Sequence, residues 1–446
     1  MNSIESANDY IEKSRDGVDK KYRLQYHVSP PVGWMNDPNG LIRFKDGYRL
    51  YYQFNPFGST NGVMHWGGCR SDDLITHKDL GVVIAPDCNG ENIFSGGAVE
   101  IDGKIYAYYT RHFEHYGEKR EDVYLAVSAD GRNFVLKGKV FDNNTLPENV
   151  SRADFRDPCP AKVGDKYYVF VGGKDVNTNQ GLIVVLGGDT ENLQYQFTIG
   201  PFYELGDMGE CPSYCRVDGR DVLVVSGCNV KERGNSFKNI NSSVFIIGDI
   251  DFEKGNMKVD FIHEIDKGDT FYAPQFISGE KTPTMIGWFE MWNKRYPTHE
   301  LGHGWVGAFT IPRQLSIKDG TVFQSPVESL EKYEREVDYV PKCCDIRVNF
   351  SGKGKLILSA ENGEVIIGAD GEIYLDTQRS NNLNGCVRRT DGTYKNCAVR
   401  VLLDVSGIEV FIDGGRETIS SRIYLDGGYS LAVEGAVEVE SIKEIR

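Results

Sequence analysis

The stretch Trp34-Met35-Asn36-Asp37-Pro38-Asn39-Gly40 puts an indole, an amide, a carboxylate and two turn formers into seven residues. Pro38 bars a helical continuation, and Asn39-Gly40 is a strong turn signal. Asp37 is therefore expected on a rigid bend at a strand end. Four more short motifs follow: Phe94-Ser95-Gly96, Phe155-Arg156-Asp157-Pro158, Glu210-Cys211-Pro212 and Phe271-Tyr272-Ala273-Pro274-Gln275. Asp37 lies 58 residues before Ser95, Ser95 lies 62 before Asp157, Asp157 lies 53 before Glu210, and Glu210 lies 62 before Tyr272. Aromatic and β-branched runs such as Tyr48–Phe54, Ile105–Tyr109 and Tyr167–Val171 recur with them, many after Asp-Gly or Gly-Asp hairpin turns. A step near 60 residues fits one four-stranded blade with its loops, and five of them predict a five-bladed β-propeller. The innermost strands of such blades converge on one axis, so the five motifs would meet in a single funnel.

The texture changes after Pro326. Residues 327–339 are charged and helix-compatible, and read as a linker helix. From about residue 340 the strands alternate cleanly, as in Val399–Leu403 and Ile408–Ile412, which predicts a C-terminal β-sandwich over 340–446. The chain is thus expected to be all-β, with an N-terminal extension and propeller over 1–326. The second domain holds no concentration of candidate catalytic groups and is read as structural.

Bulk properties narrow the partners. The 446 residues suffice for two domains, and Gly 50, Tyr 24 and Phe 22 suit short strands joined by turns. A net charge of -15 disfavours nucleic acid and anionic membranes. The first thirty residues hold no continuous apolar run, and Ile4, Ala7, Tyr10 and Ile11 suggest a short amphipathic helix, not a signal peptide. Ten cysteines without an export signal point to reduced thiols and a cytoplasmic protein. Cys211 and Cys215 have ligand-like spacing, but no second pair follows, so no metal site is expected. Gly172-Gly173-Lys174 lacks the spacing of a phosphate loop, and no cofactor is expected. Oligomeric state is not legible.

The complete heptad, followed in order by Arg-Asp-Pro and Glu-Cys-Pro, resembles glycoside hydrolase family 32, the invertases and related fructosidases. The resemblance is strong over about residues 22–330 and weaker through the sandwich. It implies a five-bladed propeller carrying a C-terminal β-sandwich, and a retaining mechanism. Asp37 would be the nucleophile, Glu210 the acid/base and Asp157 the transition-state stabiliser. It also implies substrate contacts at Asn36, Gln53, Trp66, Phe94, Ser95 and Arg156, with Tyr272 and Trp288 walling the site. Gly304–Arg313 matches a structural strand at the close of the propeller.

The chemistry of these roles is coherent. Breaking a glycosidic bond needs an acid at the leaving oxygen and a carboxylate at the anomeric carbon. Glu210 would have to start protonated, and crowding by two other carboxylates would raise its pKa. Arg156 is expected to keep its neighbour Asp157 ionised. The expected substrate is sucrose or sucrose 6-phosphate. For a phosphate, the candidate cations are Lys119, Arg120, Lys294 and Arg295. The alternatives are an exo-fructosidase on inulin- or levan-type oligosaccharides, a fructosyltransferase, a propeller arabinosidase or xylosidase, and a non-catalytic fructan-binding lectin.

Overall fold

The structure, a computed structural model, describes residues 3–87, 90–115 and 117–446. Five antiparallel sheets follow one another along the chain, each with four consecutive or near-consecutive strands. Their first strands are Gly33–Phe44, Glu91–Ile101, Val150–Val163, Gly209–Val217 and Tyr272–Phe276. Each of these touches the next, and the fifth returns to the first, closing a ring. These are blades I to V of a propeller. Trp305–Val306 adds a short parallel strand to the inner edge of blade I.

All five sequence motifs fall on these inner strands, and each coincides with a break in pairing. The register shifts at Met35/Pro38, at Phe94/Gly96, between Arg156 and Cys159, at Glu210/Ser213 and at Tyr272/Gln275. Four of the breaks contain a proline, which has no N–H for the ladder. Asp157, Cys211 and Ala273, each directly before a proline, adopt φ of 64°, 48° and 48°. Such left-handed residues cost on the order of 1–3 kcal/mol and persist where surrounding structure imposes them. The expectation for Asp37 needs correction. Asn39-Gly40 makes no turn; it is a second irregularity inside one continuous strand, and Asp37 sits mid-strand in a bulge. Pairing with Tyr48–Asn55 on one side and Trp305–Val306 on the other carries the strand through a sequence that favours turning.

An amphipathic helix spans Ile4–Ser14, capped by Ser3, with Ala7 and Ile11 buried on blade I. After blade V the expected linker helix is a 3-10 helix over Glu328–Tyr333 only. Glu334–Glu336 then form a strand that pairs with Ser430–Ile445. The sheet edge at Ile445 recruits this segment before a full helix can develop. This strand and the eight that follow it form one bent sheet of nine. Cys344–Ala360 pairs with Cys397–Asp404 through its first half and with Gly363–Ala369 through its second. Both halves enclose a single apolar core that includes Val348, Leu356, Val365, Val401 and Val410, giving a sandwich. Arg313, fully buried between the domains, pairs with Asp266 of the propeller and Glu409 of the sandwich. Among the described residues, no helix is long and apolar enough to cross a membrane.

Candidate active site

At one end of the propeller axis four of the five bulged motifs, those of blades I to IV, line a cavity of about 160 Å³. Asn36, Asp37, Gln53, Phe94, Ser95, Arg156, Asp157 and Glu210 line it, together with Asn61, Met64 and Trp292. Blades I, III and IV supply one carboxylate each. Asp37 Oδ2 accepts a 2.7 Å hydrogen bond from Ser95 Oγ, while its buried Oδ1 has no hydrogen-bond partner among the described residues. Asp157 Oδ2 accepts from the backbone N–H of Cys211 at 3.0 Å, and the Asp157 N–H donates to Thr110 Oγ1. The Cys211 thiol lies 3.6 Å from Asp37 Oδ2 and 3.5 Å from Asp157 Oδ2, between the two acids.

Arg156 acts on its sequence neighbour Asp157 only through its charge, and its hydrogen bonds go elsewhere. Its Nε and Nη2 donate to Glu210 Oε1 at 3.1 and 2.6 Å, and its Nη1 donates to both oxygens of Glu121. The bulge and the left-handed φ of Asp157 turn the adjacent side chains toward different partners. Tyr272 OH gives Glu210 Oε2 a second hydrogen bond, at 2.5 Å.

The proton balance departs from the sequence expectation accordingly. Burial raises Glu210, but the Arg156 charge and the Tyr272 hydroxyl outweigh it and hold this carboxyl below its usual range. Burial raises Asp157, Arg156 opposes it, and the charges of Glu210 and Asp37 push it on to about 7. Asp37 is also raised, mainly by burial, against its hydrogen bonds from Ser95 and Asn36. In the free site, Glu210 is pushed toward its ionised form, and Asp157 and Asp37 toward their protonated forms.

The other expected residues divide into two groups. Asn36 accepts from Trp34 Nε1 at 2.8 Å, Gln53 donates to Ile93 O at 3.0 Å, and Phe94 stacks on His112 at 4.1 Å. These face the cavity. Trp66, Tyr272 and Trp288 are buried behind its lining. Trp66 Nε1 donates to Phe94 O, and Trp288 packs against Trp34 and Trp292. Trp292, which no motif marked, is the aromatic residue of that cluster that reaches the cavity. Met64 and Asn61 were also missed; Met64 stands two residues before Trp66 and was legible by proximity. The four cations considered for phosphate are all engaged: Lys119 by Asp154, Arg120 by Asp122, Lys294 by Asp269 and Arg295 by Glu300.

Comparison with known proteins agrees with this geometry. The model of the glycosyl hydrolases family 32 N-terminal domain matches residues 27–326, and that of the family 32 C-terminal domain matches 345–444. The chain belongs to glycosyl hydrolase family 32. It is similar to a sucrose-6-phosphate hydrolase of Escherichia coli, 30% identical over 94% of this chain and 93% of that protein. It is also similar to a raffinose invertase of Escherichia coli, 30% identical over 90% of this chain and 89% of the other. Among solved structures, the family 32 β-fructofuranosidase of Bombyx mori superposes with a TM-score of 0.86, at 29% identity, covering 99% of this chain and 98% of that one.

Proposed function

We propose that the protein is a retaining β-fructofuranosidase that releases a terminal fructosyl unit from sucrose or sucrose 6-phosphate. The observation that carries this is the convergence of Asp37, Asp157 and Glu210 from three blades on one small cavity. A cavity of about 160 Å³ is well below the roughly 300–1,000 Å³ of drug-sized sites, which suits one furanose ring and exo-action. The family 32 relatives named above support the sugar class, as does a Bombyx mori β-fructofuranosidase mutant solved in complex with sucrose.

Asp37 attacks the anomeric carbon through its unpartnered Oδ1, and the bond to the leaving oxygen breaks as Glu210 gives that oxygen its proton. Asp157 accepts sugar hydroxyls and stabilises the oxocarbenium-like charge. Those hydroxyls favour the ionised form of Asp157, leaving Glu210 as the site for the proton. Water then attacks the fructosyl ester, Glu210 takes the water's proton, and fructose departs. Arg156, Asn36, Gln53, Phe94 and Ser95 hold the ring, and Trp66, Tyr272 and Trp288 brace the wall from behind.

Residues 1–326 are the catalytic unit, 327–339 a connector and 340–446 a structural domain; the extents of the two family matches support this division. The nine described cysteines are free thiols, which fits a reducing, cytoplasmic setting. The test is kcat/KM for sucrose and for sucrose 6-phosphate, following fructose release, with Asp37→Asn as the blank. A preference of about tenfold corresponds to about 1.4 kcal/mol of transition-state discrimination and identifies the substrate. Activity on neither sugar, or activity surviving in the blank, rejects the proposal.

A further inference from the structure

The Arg156 guanidinium is shared between carboxylates from two different blades. One edge, Nε and Nη2, faces Glu210 Oε1. The far nitrogen, Nη1, lies 3.3 and 3.2 Å from the two oxygens of Glu121. Glu121 belongs to Glu118–Ser128, the third strand of blade II, and is completely buried outside the cavity lining. A carboxylate in such a place is costly unless its lone pairs are filled. They are: His112 Nδ1 lies 3.2 Å from Oε1, Lys119 Nζ lies 3.2 Å from Oε1, and the Phe155 N–H donates to Oε2 at 3.0 Å. The Phe155 contact ties Glu121 to the residue directly before Arg156.

We propose that Glu121 is a positioning residue for the reaction: it pins the Nη1 end of Arg156, so that the opposite edge of the guanidinium is presented to Glu210 and not to Asp157. This rests on the fructosidase reading for the role of Glu210. Glu121 stays ionised, because the His112 hydrogen bond and the charges of Arg156 and Lys119 outweigh burial and lower it to about 2. Its fixed negative charge offsets part of the Arg156 charge, so Glu210 meets a tempered cation.

The groups facing Glu210 are Arg156, Asp157, Asp37, Tyr272, Cys211 and Cys228. Those facing Glu121 are Arg156, His112 and Lys119, with Asp154 behind Lys119. Arg156 alone is common to both sets. Removing the Glu121 charge therefore leaves the full Arg156 charge on Glu210, which then gives up its proton at lower pH.

The experiment is the pH dependence of kcat at saturating sucrose, which reports the enzyme–substrate complex, in the wild type, Glu121→Gln and Glu121→Asp. The alkaline limb, which follows loss of the acid, is expected to move down by about one pH unit in Glu121→Gln. Glu121→Asp keeps the charge and should return the limb most of the way. A uniform loss at every pH with an unmoved limb, or a limb moved upward, overturns the proposal, since a purely structural role predicts the first. If Glu121→Gln fails to fold, Lys119→Met is read instead, at a partly exposed side chain. It releases Glu121 to Arg156 and should move the limb up by a few tenths of a unit; an unmoved limb overturns the proposal. A wild type that releases no fructose rejects the fructosidase reading itself. An active wild type with an unmoved limb in the variant leaves that reading standing and removes only the role of Glu121.

Discussion

The His27 ring is buried between two carboxylates of the sandwich domain, with Asp404 2.9 Å from Nδ1 and Glu409 2.8 Å from Nε2. An acceptor on each nitrogen requires both to donate, so the ring is held as a cation. Burial pushes its pKa down, but the two hydrogen bonds outweigh burial and lift it from 6.5 to about 9. That rise corresponds to on the order of 3 kcal/mol of folding free energy. Because the folded value is the higher one, the contribution is complete below pH 6.5, declines as pH climbs, and is gone above about 9. Asp404 and Glu409 are held below the ordinary carboxylate range, so their contribution instead fades as pH falls below that range. The assay is urea denaturation at about pH 6, 8 and 10, followed by tryptophan fluorescence and far-UV circular dichroism. Wild-type stability should fall by on the order of 3 kcal/mol from the first pH to the last. The double variant His27→Gln/Asp404→Asn starts less stable and should lose much less over the same range, because Glu409 keeps Arg313 as its partner. Parallel declines in the two proteins would refute the assignment of a charged His27.

Tyr272→Phe removes the hydroxyl that donates to Glu210 Oε2. Glu210 should then hold its proton to higher pH, moving the alkaline limb of kcat up by about one unit, opposite in sign to Glu121→Gln. Arg313→Met strands the buried carboxylates of Asp266 and Glu409, and denaturant titration should record a loss of about 3–5 kcal/mol. Gly307→Ala places a Cβ against the Met35 carbonyl oxygen at a position with φ of 92°. It should lower thermal stability by more than about 1 kcal/mol and reduce kcat, since the displaced strand carries Asn36 and Asp37; a variant with wild-type melting and turnover would contradict that packing.

Much of the architecture was local and therefore readable. Alternating strands, Asp-Gly hairpins and five proline- or glycine-marked motifs near a 60-residue step are properties of short segments, and they map onto five inner strands. The site is less local. Adjacency in sequence suggested that Arg156 serves Asp157, yet the bulge between them and Cys159 sends the guanidinium to Glu121 and Glu210, 35 residues before it and 54 after it. Trp66 and Trp288 carry the right chemistry but face the core, whereas Trp292 reaches the cavity from a segment without a motif.

The sequence by itself determined which residue types stand on which inner strand, because hydrophobic period, turn chemistry and proline placement act within a few residues. Only the tertiary structure decided in which direction the proton affinity of each carboxyl is pushed. That depends on burial and on charges brought together from separate blades, and the closure of the ring sets those distances.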